Sequence, residues 1–261
     1  MQFARLLFAG AAPQLRRGLR ALGGVLFALR AYMAFAVLMP FAFFAALLLP
    51  VKSCWNVGRT VAGMFLRWSG IPVAVRGIEH VPDGKTAVLA ANHTSYLDAA
   101  VLLSILEYRG YAFVAKREFQ DNFLMSILLS GFGTQFVERF DVVKSAEHAN
   151  ELAEAARRGI SLIVFPEGTL KRGTGLMDFR TGAFQAVAQA GIPVVPVALR
   201  GLRSVLRDGT WYLRRAPVTV TIGAPLFPEG SDWAAAVQLR DAVRAEILKS
   251  CGEPDLAAGN R

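Results

Sequence analysis

The chain has 261 residues, 54% of them hydrophobic and 19% charged, with a net charge of +9. That length allows one large domain, or one domain with an appendage, and the mean hydropathy of +0.38 is high for a water-soluble protein. The first 78 residues hold nine bases and no acid, while the rest balances twenty bases against twenty acids; basic charge interleaved with apolar residues suits an anionic lipid surface and argues against nucleic acid as the partner.

The apolar surplus lies early. Ala31 to Leu49 carry no charge over nineteen residues, between Arg30 and Lys52, and about 20 residues cross a bilayer core. Pro40 predicts a kink or break. Two readings follow: a tilted or kinked spanning helix, or a helical hairpin dipping into one leaflet. Similar bases on both flanks leave the orientation open, and a cleaved leader is disfavoured because the apolar region is long and lies late. Asn56 to Trp68 repeat apolar residues at helical spacing around Arg59 and Arg67, which predicts a second, interfacial helix. Residues 1–70 are therefore expected to be basic, membrane-anchoring helices, and residues 71–261 a separate domain.

After Ile71-Pro72 short β-branched runs alternate with amphipathic ones. Strands are expected at 73–77, 86–91, 111–116, 134–138, 161–165, 194–199 and 218–223. Helices are expected at 95–108, 122–129, 145–158, 181–190 and 232–250. This alternation implies an α/β fold, a mixed, largely parallel sheet flanked by helices. The apolar helix at 122–129 is either core or the wall of a groove for an aliphatic chain. Cys54 and Cys251 stand far apart with no partner at metal spacing, so no metal site is expected.

Three stretches carry chemistry. In the first, Asn92 to Asp98, Ser95 reads as a helix N-cap with Asp98 three residues on, close to a capping box, and His93 is then an incidental loop residue. The chemical alternative places His93 in the turn and Asp98 in the first helical turn behind it. Asp98 then holds one imidazole nitrogen and leaves the other as a base. His80 and His148 read as solvated surface residues. The second stretch, Phe165 to Arg172, is a buried strand followed by a Gly-rich turn with Lys171 and Arg172. It is either an ordinary basic loop or an anion-binding nest, in which Glu167 fixes the loop or orients a hydroxyl. In the third, Lys116 and Arg139 stand near strand ends, as solvated charges or as cations for an acidic or phosphorylated substrate.

The blocks together resemble the glycerolipid acyltransferase family. They are Asn92-His93-x4-Asp98, Gly133-x-x-Phe136-Val137-x-Arg139, Phe165-Pro166-Glu167-Gly168-Thr169 and Val195-Pro196-Val197. The resemblance runs from about Ile71 to Pro228. It implies acyl transfer from acyl-CoA or acyl carrier protein to the free hydroxyl of a lysophospholipid, 1-acylglycerol-3-phosphate foremost, with His93 as general base oriented by Asp98. It also implies that Asn92, Lys116, Arg139, Glu167, Gly168, Thr169, Lys171 and Arg172 serve substrate binding. The thioester is a co-substrate, and neither a cofactor nor a metal is implied. Membrane lipids and the acyl donor are the expected partners, at the cytosolic face of the inner (cytoplasmic) membrane. Many family members place Arg directly after Thr169, where this chain has Leu170. That departure keeps another acceptor open, such as lyso-ornithine lipid. A membrane-bound lipid or thioester hydrolase and a non-catalytic lipid-binding protein are the further alternatives.

Overall fold

The computed structural model describes residues 2–137 and 151–257. Helix α1 (Gln2–Leu48) is followed at once by α2 (Val51–Ser69). Strands β1 (Val73–Arg76) and β2 (Val88–Ala91) lead to α3 (Asp98–Ile105), β3 (Tyr111–Lys116), α4 (Phe123–Gly131) and β4 (Gln135–Val137). Residues 151–157 are helical (α5) and precede β5 (Ser161–Val164), α6 (Gly182–Ala190) and β6 (Val194–Arg200). The short α7 (Leu202–Val205), β7 (Val218–Ile222) and α8 (Trp233–Cys251) complete the described elements.

The strands form one sheet in the order β1-β7-β6-β2-β5-β3-β4. From β6 to β4 all neighbours are parallel, while β7 runs antiparallel to β6 and carries β1 parallel to itself. The expected mixed, largely parallel sheet flanked by helices is present. β2 and β5 are buried at every residue, as central parallel strands covered on both faces must be. Alternation along β2 divides the core. Leu89 and Ala91 pack with α1, α2 and α3, whereas Val88 and Ala90 pack with α6 and α8.

Of the two N-terminal readings, α1 is one helix rather than a hairpin broken at Pro40. α1 continues through Pro40, and the chain turns instead at Pro50, the residue before α2, where ψ is 151°. A mid-helix proline removes one hydrogen bond, but packing on both sides of it keeps the helix whole. Ala31, Ala34, Leu38, Ala42 and Ala45 form one buried stripe at spacings of three and four residues. Phe35 meets Phe65 edge to face, so α1 and α2 form an antiparallel hairpin with its corner at Pro50. From Arg17 to Leu48, α1 is long and apolar enough to cross a membrane by length and composition.

Helix α2 is more than interfacial. It buries Cys54, Trp55, Gly58, Ala62, Phe65 and Leu66, a helical stripe. The fully buried Trp55 stacks on Phe113 at 5.6 Å and donates its indole N–H to the Leu106 carbonyl at 3.3 Å. The division expected at residue 70 is one of composition, and packing runs across it. Helix α4 is not core: it buries no residue and leaves Phe123 75% exposed, while Leu128 packs against the main cluster. It approaches α1 so closely at Gly131 that a Cβ there would collide with the Ala46 backbone.

Because Trp55 joins the hairpin to β3, Trp55→Ala should lower unfolding free energy by about 3–5 kcal/mol. Urea unfolding of the detergent-solubilised protein, followed by near-UV circular dichroism, measures this; an unchanged midpoint would show that the hairpin contributes nothing to the domain's stability.

Candidate active site

The site grows from the shared C-terminal edge of β2 and β5, parallel neighbours in the middle of the sheet. Open α/β sheets gather ligands at that edge. β2 ends at Ala91, but Asn92 extends its pairing with β6. The Asn92 side chain donates Nδ2–H to the Leu199 carbonyl at 2.9 Å and accepts the Leu199 N–H at Oδ1 at 2.7 Å. A carboxamide has the donor and acceptor of a peptide group, so it substitutes for one further ladder step. Asn92 is fully buried. Both polar groups of its side chain are thereby committed to β6.

His93 follows directly, and its Nδ1 lies 2.8 Å from Oδ2 of the fully buried Asp98. The same oxygen accepts the backbone N–H of Thr94 at 2.6 Å and of Ser95 at 2.9 Å. With Asp98 ionised, Nδ1 carries the proton and Nε2 is left as the basic nitrogen. The imidazole stacks on Phe165, with ring centroids 4.3 Å apart, and keeps 23% side-chain exposure. It is fixed in plane yet reachable.

The capping pair and the His93 contact occur together: Asp98 Oδ2 accepts the Ser95 N–H at 2.9 Å while Ser95 Oγ accepts the Leu97 N–H at 3.2 Å. The residue before α3 is Leu97, which makes no side-chain cap. Ser95 Oγ also donates to the Leu206 carbonyl at 2.6 Å. Asp98 is the first residue of α3 and reaches back to upstream amides, where the positive end of the helix dipole also favours its charge.

Glu167 braces the turn from the β5 side. Its Oε1 accepts the His93 backbone N–H at 2.7 Å and its Oε2 the Met177 N–H at 3.0 Å. Of the roles expected for it, the structure realises the loop-fixing one, and head-group binding finds no support in this geometry. Burial raises the Glu167 pKa above the usual carboxylate range, with a smaller push from Asp98; the two N–H groups and the His93 charge oppose it. Gly168 has φ +69°, and a Cβ there would lie 2.6 Å from Arg180 Nε. Glycine thus lets the Arg180 side chain lie directly over the turn. Thr169 is half-buried, and its hydroxyl donates to the Leu170 carbonyl at 3.3 Å.

The remaining expected residues divide. Lys116 ends β3 on the same sheet edge and is half-buried. The Lys171 and Arg172 side chains are exposed, and their carbonyls accept N–H groups of Arg203, which is itself paired with Glu253 at 2.8 Å. That loop is tethered to the C-terminal segment. Arg139 and His148 lie outside the described residues. His80 is not simply solvated: its Nδ1 lies 2.8 Å from the Ile222 carbonyl. No cluster of three or more His, Cys, Asp or Glu that could hold a metal ion occurs among the described residues. Two contributors went unnoticed in the sequence, Phe165 beneath the imidazole and Arg180 over Gly168. For Arg180 the available signal was a base in "MDFRTGAF", just ahead of a predicted helix.

Residues 72–200 match the family model described as Acyltransferase. This domain belongs to the acyltransferase family. The chain is 30% identical over 178 residues to 1-acyl-sn-glycerol-3-phosphate acyltransferase BAT2, chloroplastic, of Brassica napus, covering 67% of this chain and 50% of the relative. It is 28% identical over 216 residues to the human 1-acyl-sn-glycerol-3-phosphate acyltransferase alpha, covering 79% of this chain and 75% of the relative. The matched stretch spans only 50% to 61% of the length of the first plant relatives. The crystal structure of the 1-acyl-sn-glycerophosphate acyltransferase PlsC from Thermotoga maritima shares the fold. Its TM-score is 0.70 at 22% identity, over 88% of this chain and 98% of that one.

The acyltransferase domain's raised glutamate makes a pH prediction. A carboxyl whose folded pKa exceeds its unfolded value binds more protons when folded, so stability falls as pH rises through that window. Relative to Glu167→Gln, the wild type should lose stability as pH climbs above 4.5, the ordinary glutamate value. Paired urea titrations from pH 4 to 7 measure the difference; a constant gap across that range would contradict it.

Proposed function

We propose that this chain transfers a fatty acyl group from a thioester donor, acyl-CoA or acyl carrier protein, to the free hydroxyl of a lysophospholipid. The acceptor on this reading is 1-acylglycerol-3-phosphate and the product phosphatidic acid. The observation that carries it is the His93–Asp98 contact of 2.8 Å beside an accessible imidazole. The names of the curated relatives support the substrate class.

Nε2 of His93 takes the hydroxyl proton as the oxygen attacks the thioester carbonyl, and Asp98 balances the imidazolium that forms. When the tetrahedral intermediate collapses, the thiolate leaves and receives that proton. Backbone amides of the 165–169 turn supply the oxyanion donors, each worth a few kcal/mol. The Thr169 N–H, which meets no acceptor among the described residues, is the first candidate. Cys54 and Cys251 are both buried, which favours direct transfer over a covalent thioester on the enzyme. The scheme asks for no metal or other cofactor. Lys116, Arg139 and Arg180 are the proposed cations for the acceptor phosphate, Arg180 standing in for the Arg that Leu170 replaces. The helices of residues 1–70 hold the domain at the cytosolic face of the inner membrane, where thioester donors are found. A phosphate-free acceptor such as lyso-ornithine lipid is the second reading, motivated by Leu170 and by the outward Lys171 and Arg172.

Purified full-length protein, a labelled thioester donor and a panel of lysolipid acceptors test both readings. His93→Ala should lower kcat/KM at least about 100-fold, as should Asp98→Asn, each with an unchanged circular dichroism spectrum. Retained turnover in His93→Ala removes the mechanism. Preference for a phosphate-free acceptor replaces the lysophosphatidate assignment, and free fatty acid without a new diacyl lipid replaces transfer by hydrolysis.

Arg180→Ala should raise KM for a phosphate-bearing acceptor about tenfold with kcat little changed. An unchanged KM would remove Arg180 from head-group binding.

A further inference from the structure

A cavity of about 550 Å³ lies between α1 and the loop that joins α7 to β7. Arg30 lines it from α1, and Tyr212, Arg214 and Arg215 line it from the loop. No acidic side chain lines it, and none of the three guanidinium groups has a carboxylate partner among the described residues. Arg214 lies over the Tyr212 ring at 5.6 Å. The loop is seated on α1 at two points: Tyr32 donates its hydroxyl to the Trp211 carbonyl, and Tyr212 packs against Gly24. Three clustered like charges repel one another. All three side chains are exposed, so water screens that repulsion, and an anion bound among them would meet a concentrated positive field.

The cavity does not end at its charged wall. A second hollow of about 390 Å³ shares Leu26 and Arg30 with it and continues along α1 past Leu29, Met33 and Val37 to Trp68 of α2. Leu29 and Met33 are 56% and 61% exposed. From Leu29 to Val37 the helix rises about 12 Å, a substantial part of an acyl chain. A basic chamber opening into an apolar groove has the polarity of a phospholipid. The loop also carries Trp211, 81% exposed, beside Tyr212, the residue types that settle at a lipid–water boundary. None of the residues lining either hollow belongs to the His93 site.

We infer that this chain holds one anionic diacyl phospholipid at a second, non-catalytic site. The lipid's phosphate meets Arg30, Arg214 and Arg215, and an acyl chain lies along Leu29, Met33 and Val37. The lipid thereby bridges α1 and the α7–β7 loop, the same loop whose Asp208 accepts a hydrogen bond from Tyr96 at 2.5 Å beside the catalytic turn. This inference does not rest on the acyl-transfer reading and survives its failure.

The test is native mass spectrometry of the full-length protein in detergent, titrated separately with phosphatidylglycerol and phosphatidylcholine. The wild type should retain one phosphatidylglycerol, at least about tenfold more tightly than phosphatidylcholine. R30Q/R214Q/R215Q should remove that preference, at about fivefold per arginine. R17Q/K52Q/R76Q removes equal charge from exposed positions away from the cavity and should keep it. L29N/M33N alters only exposed side chains and should weaken phosphatidylglycerol retention while leaving all three arginines in place. Equal loss in the two charge-deleted variants would reduce the effect to diffuse attraction and overturn the site. Full retention in R30Q/R214Q/R215Q would place the lipid elsewhere. Displacement of phosphatidylglycerol by millimolar inorganic phosphate would make this a site for a free anion and overturn the lipid assignment.

Discussion

The buried carboxylate of Asp98 is the constraint on which the site depends. An ionised carboxylate removed from water is costly unless its lone pairs are met by N–H groups. Oδ2 meets three, from the imidazole of His93 and the amides of Thr94 and Ser95. To bring those donors to one oxygen, the chain after β2 must curl back on the first turn of α3 rather than begin the helix early. That curl presents the imidazole at the sheet edge. Glu167 braces the same turn from β5 by accepting the His93 amide. Two carboxylates five residues and seventy-four residues from His93 therefore have different tasks, one orienting the ring and the other tying the loops.

The N-terminal helices share a hydrophobic cluster with the sheet face that leads to this edge. Ala31, Ala34 and Leu38 of α1, Trp55 and Phe65 of α2, and Leu89 and Ala91 of β2 all belong to it. Small residues along the α1 stripe let α2 approach, while Leu29, Met33, Phe41 and Phe44 on its other faces remain exposed. One helix thus presents an inward face matched to protein and outward faces matched to an apolar surrounding.

Much of this was legible in the residues. Short β-branched apolar runs marked the strands of the sheet to within about two residues, because buried parallel strands leave little freedom of composition. His93 and Asp98 were legible because a His and an Asp at the seam of two apolar segments are expensive to place there without a task. Pro40 does not break α1, since its local cost is outweighed by the packing of α1 on both sides of it. The place of Asn92 in the sheet was not legible, because a side-chain amide that substitutes for a ladder step with Leu199 is set by a residue 107 positions away. Ser95 was legible as half of a capping pair with Asp98, but its second bond, to the distant Leu206 carbonyl, was not.

The sequence by itself determined most of the elements, the sheet class, the basic and apolar N-terminus, and the residue types of the His93 turn. These follow from local propensity and from periodic burial, which each segment carries in its own composition. Only the tertiary structure decided which oxygen of which carboxylate holds the imidazole, that Glu167 ties His93 to Met177, and that Arg180 covers Gly168. It alone joined Arg30 to Arg214 and Arg215 around one cavity. Those relations connect residues far apart along the chain, and hydrogen bonds act over about 3 Å, so only the folded arrangement can establish them.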